Sequence, residues 1–121
     1  MIFHIYEKSN IMNSLSLLKC LSEQTRLSIV LLIDAHNEAC VCELIDTIDA
    51  DQPKISRHLA ELRKCKVLVD ERRGKWVYYR LDPSLPEWAI GIIRSAKNGE
   101  LAAFESLSKR FLSCQIEKPC C

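Results

Sequence analysis

At 121 residues the chain has room for one domain with short tails and for no second domain. A hydrophobic content of 48% beside 27% charged residues excludes a disordered polar chain, and no apolar run is long enough to cross a membrane. The formal net charge of +1 nominates no nucleic-acid partner by itself, and seven cysteines, an odd number, exclude complete internal pairing.

Residues 1–10 lack a basic stretch leading into an apolar run, so they read as an N-terminal arm and not as a secretory signal. A cytoplasmic chain is expected, where cysteines bind metals or do redox chemistry more often than they staple folds. Residues 11–21 predict a helix with Ile11, Leu15 and Leu18 on one stripe, and Leu21 or Met12 beside them. Residues 23–35 predict a second helix, apolar nearly all round and therefore central. Residues 39–42 lead into a short helix over 43–48, and Asp49-Ala50-Asp51 is a turn with good capping residues. Gln52 opens a helix to Lys64, with Pro53 in its first turn and Ile55, Leu59 and Leu62 as its inner stripe. Val67-Leu68-Val69 and the run from Trp76 to Leu81 predict strands, joined by the basic turn Arg72-Arg73-Gly74-Lys75 into a hairpin. Residues 87–97 predict a helix with Trp88, Ile92 and Ala89 or Ile93 inward; residues 101–112 continue as helix, and 113–121 are a cysteine-containing tail. Residues 11–112 thus form the folded domain.

The near-zero charge is an average. Residues 1–51 carry three cations against eight anions, residues 52–80 nine against three, and residues 81–121 five of each. A block of net +6 is what phosphate neutralisation needs. It coincides with a short helix, a tight turn, a helix with a polar outer face and a basic-tipped hairpin. That order is a winged helix-turn-helix: mostly α, with a small β-hairpin. Its second helix fits the major groove of duplex DNA, where short polar side chains reach base edges. Gln52, Lys54, Ser56, Arg57 and His58 are the candidates on that helix, and Arg72, Arg73 and Lys75 on the hairpin tip. His58 lies at the edge of the apolar stripe, so packing or a phosphate contact competes with base reading. Tyr78 and Tyr79 point to opposite faces, so one is core and only the other is placed to touch DNA.

Three segments carry a family resemblance. The run from Leu21 to Leu27 resembles the signature that opens the core helix of the ArsR/SmtB metalloregulatory repressors. The run from Gln52 to Leu59 resembles their recognition helix, and that from Gly74 to Leu81 their wing. The likeness covers roughly residues 11–95. It implies a homodimeric repressor on a palindromic operator, released when an ion binds, with no organic cofactor and no membrane partner. Cys40-Val41-Cys42 is similar to the arsenical-responsive branch, which implies trivalent arsenic or antimony as the inducer. In that branch a third cysteine follows three residues after the second; here Ile45 stands in its place. The zinc-sensing branch builds dimer-interface sites from Asp, His and Glu on the last helix. Here the histidines are His4, His36 and His58, so those sites have no counterpart.

Thiolates select soft ions. Sulfurs at i and i+2 diverge on a helix but share a face on an extended segment, so Cys40 and Cys42 grip one ion only where the chain is extended or distorted. Ligation would then reshape the first turn of the short helix that supports the recognition helix. A third bond has three sources. Cys114, Cys120 or Cys121 could reach over, a methylated arsenical could bring its own carbon, or the three C-terminal cysteines could form a separate site. Cys20 and Cys65 read as packing. Two rival classes remain: a thiol redox switch on the same fold, and a thiol enzyme. The enzyme reading lacks a C-x-x-C pair or a glycine-rich phosphate loop, so no enzymatic activity is expected.

Overall fold

The computed structural model describes residues 12–117. The expected arm at residues 1–10, together with Ile11, Cys120 and Cys121, lies outside them. Among the described residues no helix is long and apolar enough to cross a membrane.

Helix α1, Ser14–Leu21, starts at Asn13, whose side chain accepts from the Ser16 backbone N–H at 2.9 Å while the Ser16 hydroxyl caps Asn13 N in return. It buries Leu17, Cys20 and Leu21 and leaves Leu15 62% and Leu18 50% exposed. The inner stripe is therefore not the expected one. A short helix with apolar residues on two faces offers two such stripes, and only tertiary packing chooses between them.

Helix α2, Gln24–His36, is the central element: Ile29, Val30, Leu31, Leu32 and Ile33 are all buried, so it meets neighbours on every side. Asn37, at φ 77°, ends it. Strand β1, Ala39–Cys40, runs directly into helix α3, Val41–Ile48, two residues earlier than expected. Asp49 closes α3 in the left-handed conformation at φ 61°. Helix α4, Gln52–Lys64, has the expected bounds; Asp51 caps it by accepting from Lys54 N at 2.9 Å, and Ile55, Leu59 and Leu62 are fully buried.

Strands β2, Leu68–Arg73, and β3, Trp76–Leu81, form the expected antiparallel hairpin, with Gly74 supplying the positive φ of its turn. β1 pairs antiparallel on the other edge of β3, so the sheet order is β1-β3-β2, with Ala39 opposite Tyr79 and Cys40 opposite Tyr78.

Helix α5, Glu87–Gly99, buries Ala89 and Ile93 and leaves Trp88 42% exposed, which corrects the inward assignment of Trp88. Helix α6, Leu101–Glu117, runs past Leu112, where a tail was expected, and so Cys114 is helical. No glycine or proline interrupts residues 101–118, so nothing local stops the helix at residue 112. α6 turns back along α3 and α2. Phe111 is fully buried against it, with its ring 4.8 Å from that of His36, and the His36 Nε2 is 2.7 Å from the Ser108 hydroxyl. Burial holds the His36 pKa below its usual 6.5.

Candidate nucleic-acid interface and thiol pair

The inner stripe of α4 fixes which side chains point out. Anchored by Ile55, Leu59 and Leu62, the helix exposes Gln52, Lys54, Ser56 and Arg57 together at its N-terminal end. The helix α3, the turn at Asp49 and the helix α4 form the helix-turn-helix that the spacing predicts.

His58 belongs to the other face. It is buried, with Nδ1 3.3 Å from an Arg26 guanidinium nitrogen and Nε2 3.7 Å from the Glu23 carboxylate. Arg26 Nε also donates to the Cys20 carbonyl at 2.6 Å, and Arg26 N to Glu23 at 2.8 Å. Arg26 donating to Nδ1 leaves the ring proton on Nε2, facing Glu23. Burial, helped by Arg26, Arg57 and Lys54 and opposed by Glu23, holds the His58 pKa below 6.5. Of the roles expected for His58, this burial favours packing: the side chain joins α4 to the junction of α1 and α2. The motif at residues 21–27 has this geometric content: it places Glu23 and Arg26 against the recognition helix.

The hairpin tip also departs from expectation at one residue. Arg73 makes a bidentate pair with Glu38 at 2.7 and 2.8 Å, meets Glu71 at 2.8 Å, and lies 4.4 Å over the Tyr78 ring. Its charge is already paired within the protein by Glu38 and Glu71, and a separation of 35 residues hides Glu38 from any local reading of the sequence. The Arg73 side chain also pulls the Glu38 carboxyl below its usual range. Arg63 pairs with Asp70 at 3.0 Å and Arg80 with Glu71 at 3.3 Å. Arg72 and Lys75 are exposed and have no ion pair among the described residues; the Lys75 ammonium lies 5.5 Å over Trp76. Among the candidate DNA-contact residues, the exposed cations with no ion pair to the described residues are therefore Lys54, Arg57, Arg72 and Lys75. Of the two tyrosines, Tyr79 packs against the core and Tyr78 carries the Arg73 stack.

Cys40 and Cys42 meet where β1 becomes α3. Cys40 caps α3 in extended conformation, φ −99° and ψ 166°, and Cys42 sits in its first turn. The extended residue cancels the divergence of a regular helix, and the sulfurs are 3.4 Å apart. With metal–sulfur bonds of about 2.3 Å this spacing gives a bite angle of about 95°. That is narrower than tetrahedral and suits a pyramidal ion. Cys42 is disulfide-bonded, so ligation needs its reduced form. The buried Glu43 carboxylate accepts from Cys40 N at 2.9 Å, tying the thiol to the helix start. One turn further along α3, the Asp46 carboxylate accepts from the Cys114 thiol at 3.5 Å. Among the described residues no three His, Cys, Asp or Glu side chains are set to hold a metal ion. Cys114 is placed against α3, at Asp46, one turn along the helix from Cys42. Cys20 is buried, and burial first, then Cys65 beside it, pushes its thiol up to about 12; packing is the role both were expected to have.

Comparison with known proteins agrees with this layout. The family described as bacterial regulatory protein, arsR family, matches residues 23–68. An arsenical resistance operon repressor from Escherichia coli is 52% identical over 82 residues, covering 68% of this chain and 70% of that protein. An arsenic resistance transcriptional regulator from Pseudomonas putida is 50% identical over 76 residues, covering 63% of this chain and 59% of its own length. The match thus spans less than two thirds of that second relative. HlyU from Vibrio cholerae has the same fold, with a TM-score of 0.63 at 26% identity over 75% of this chain and 95% of that one.

Proposed function

Because the chain belongs to the ArsR family of bacterial regulatory proteins, which are DNA-binding transcriptional regulators and not enzymes, we propose that it is a metalloid-responsive repressor. It binds a palindromic duplex operator as a homodimer. Trivalent arsenic or antimony, taken up by cysteine thiolates, releases it. The observation that carries this reading is the Cys40–Cys42 contact at the cap of the helix leading into α4.

The mechanism follows from that position. The outward face of α4 supplies Gln52, Lys54, Ser56 and Arg57 to the major groove, while Arg72 and Lys75 meet phosphate. An ion drawn between Cys40 and Cys42 pulls on the residue that caps α3 and competes with the Glu43 bond to Cys40 N. α3 turns into α4 through Asp49, so a shift at its start re-aims the recognition helix. Release requires the ion to bind the DNA-free form more tightly than the DNA-bound one. A third bond comes from the C-terminal cysteines. Cys114 is already held beside α3, and Cys120 and Cys121 follow it in the chain. A methylated trivalent arsenical would need only the pair, and a separate site at Cys114, Cys120 and Cys121 is the competing arrangement.

Dimerisation is supported by apolar residues that one copy leaves exposed on its outer helices: Leu15 and Leu18 on α1, and Trp88 on α5. Sedimentation should give twice the chain mass.

The test is operator binding by fluorescence anisotropy, with arsenite, antimonite and methylarsenite added in turn. Cys40→Ser/Cys42→Ser should bind operator and ignore all three. Cys114→Ser/Cys120→Ser/Cys121→Ser should lose the response to arsenite and keep that to methylarsenite. If arsenite still strips the Cys40→Ser/Cys42→Ser protein from DNA, the sensor is elsewhere. Release of the wild type by peroxide without metalloid would favour the redox reading, which the close sulfur contact also suits.

A further inference from the structure

The wing and the thiol pair are physically joined. Glu38 lies two residues before Cys40 and holds Arg73 with both carboxylate oxygens, at 2.7 and 2.8 Å. Between them, Cys40 faces Tyr78 across the β1–β3 ladder, and Tyr78 carries the stacked Arg73 guanidinium at 4.4 Å. Arg73 is flanked by Arg72 and, past the Gly74 turn, by Lys75, the two wing cations that face outward. A guanidinium fork that fits a carboxylate fits a phosphate equally well, since both offer two oxygens in one plane.

We propose that Glu38 is a positioning residue that competes with DNA phosphate for Arg73, and that it is the link by which the Cys40–Cys42 site governs the wing. On the operator, Arg73 exchanges Glu38 for a phosphate. An ion on Cys40 fixes β1 and the adjoining Glu38, restores the internal pair, and withdraws one cation per protomer from the DNA. This rests on the reading of Cys40 and Cys42 as the sensor. It adds a second route of release, through the sheet, to the one through α3.

The experiment is operator affinity against salt concentration for wild type, Glu38→Gln, Arg73→Gln and the double variant. Arsenite affinity is measured separately from thiol–arsenite absorbance. Arg73→Gln removes one phosphate contact per protomer, so the log–log salt slope of a dimer should flatten by about 1.8, at about 0.9 per phosphate. Glu38→Gln keeps that contact and removes only its bidentate competitor, so it should keep the slope and tighten operator binding. The factor by which arsenite weakens operator binding should shrink by at least about fivefold, the low end of common coupling. Arsenite affinity itself should hold. In the Arg73→Gln background Glu38→Gln should no longer tighten operator binding. An unchanged slope in Arg73→Gln, or no tightening of operator binding in Glu38→Gln, overturns the proposal. A lowered melting temperature of Glu38→Gln with unaltered operator affinity and release assigns the pair to stability alone and also overturns it. Failure of the wild type to respond to arsenite would instead sink the sensor reading, and the slope measurement would still decide whether Arg73 exchanges partners.

Discussion

Ile45 stands three residues beyond Cys42 on α3, so a sulfur there would share the Cys42 face of the helix. Restoring a cysteine at this place tests whether the pair lacks only a third thiolate. The informative background is Cys114→Ser/Cys120→Ser/Cys121→Ser, in which arsenite has two protein sulfurs at most near β1. Adding Ile45→Cys supplies the third from the same helix, at an effective concentration in the millimolar range or above. Arsenite binding should tighten by roughly two to four orders of magnitude. The stability loss is small. Ile45 is half-buried against the core, and the exchange removes about two carbons of apolar volume. At about 0.8 kcal/mol per fully buried methylene, reduced by partial exposure, unfolding becomes easier by about 1 kcal/mol. That lowers the melting temperature by about 4 °C. Arsenite titration followed by thiol–arsenite absorbance, with urea unfolding as the control, reads both quantities. A folded Ile45→Cys protein that binds arsenite no more tightly than its background would refute the placement of the ion at Cys40 and Cys42.

Arg57→Gln, on the exposed end of α4, should weaken specific operator binding by about 1–3 kcal/mol per half-site while leaving thermal stability unaltered; equal losses on random DNA would make Arg57 a phosphate contact and not a base contact. Phe111→Ala empties the seat of α6 on the body of the protein and should lower urea stability by about 3–5 kcal/mol. Acid should destabilise the fold through two histidines. His36 and His58 both have folded pKa values below their unfolded value of 6.5, so the unfolded chain binds more protons in between. Their contribution is full above 6.5 and is lost as pH falls through the folded values. Urea curves between about pH 7.5 and 5.5 should show this loss, and His58→Gln should flatten it.

How far the sequence could be read depended on how local each signal was. α4 was legible to its ends because Asp51, Pro53 and the Ile55, Leu59, Leu62 stripe all act within one helix. The hairpin was legible because its β-branched runs flank a glycine turn. β1 was not, because a strand of two residues exists only by pairing with β3 nearly 40 residues away. The inner face of α1 and the exposure of Trp88 were decided by packing that no local period encodes. The same holds for the site. The extended cap that brings the two sulfurs together was required by their i, i+2 spacing. The directions of His58 and Arg73 were set by Arg26 and Glu38, distant in sequence and adjacent in space.

The order of elements along the chain has a consequence for when the protein meets its inducer. The residues proposed to read DNA all precede Leu81, whereas α6, which packs along α3, is the last described element to leave the ribosome. Synthesis at about 5–20 residues per second separates the two by seconds. During that interval the face of α3 that α6 later covers is open. On the reading proposed above, the third thiolate arrives only with α6 and the residues after it, so the DNA-reading face folds seconds before the sensor for inorganic arsenite is complete.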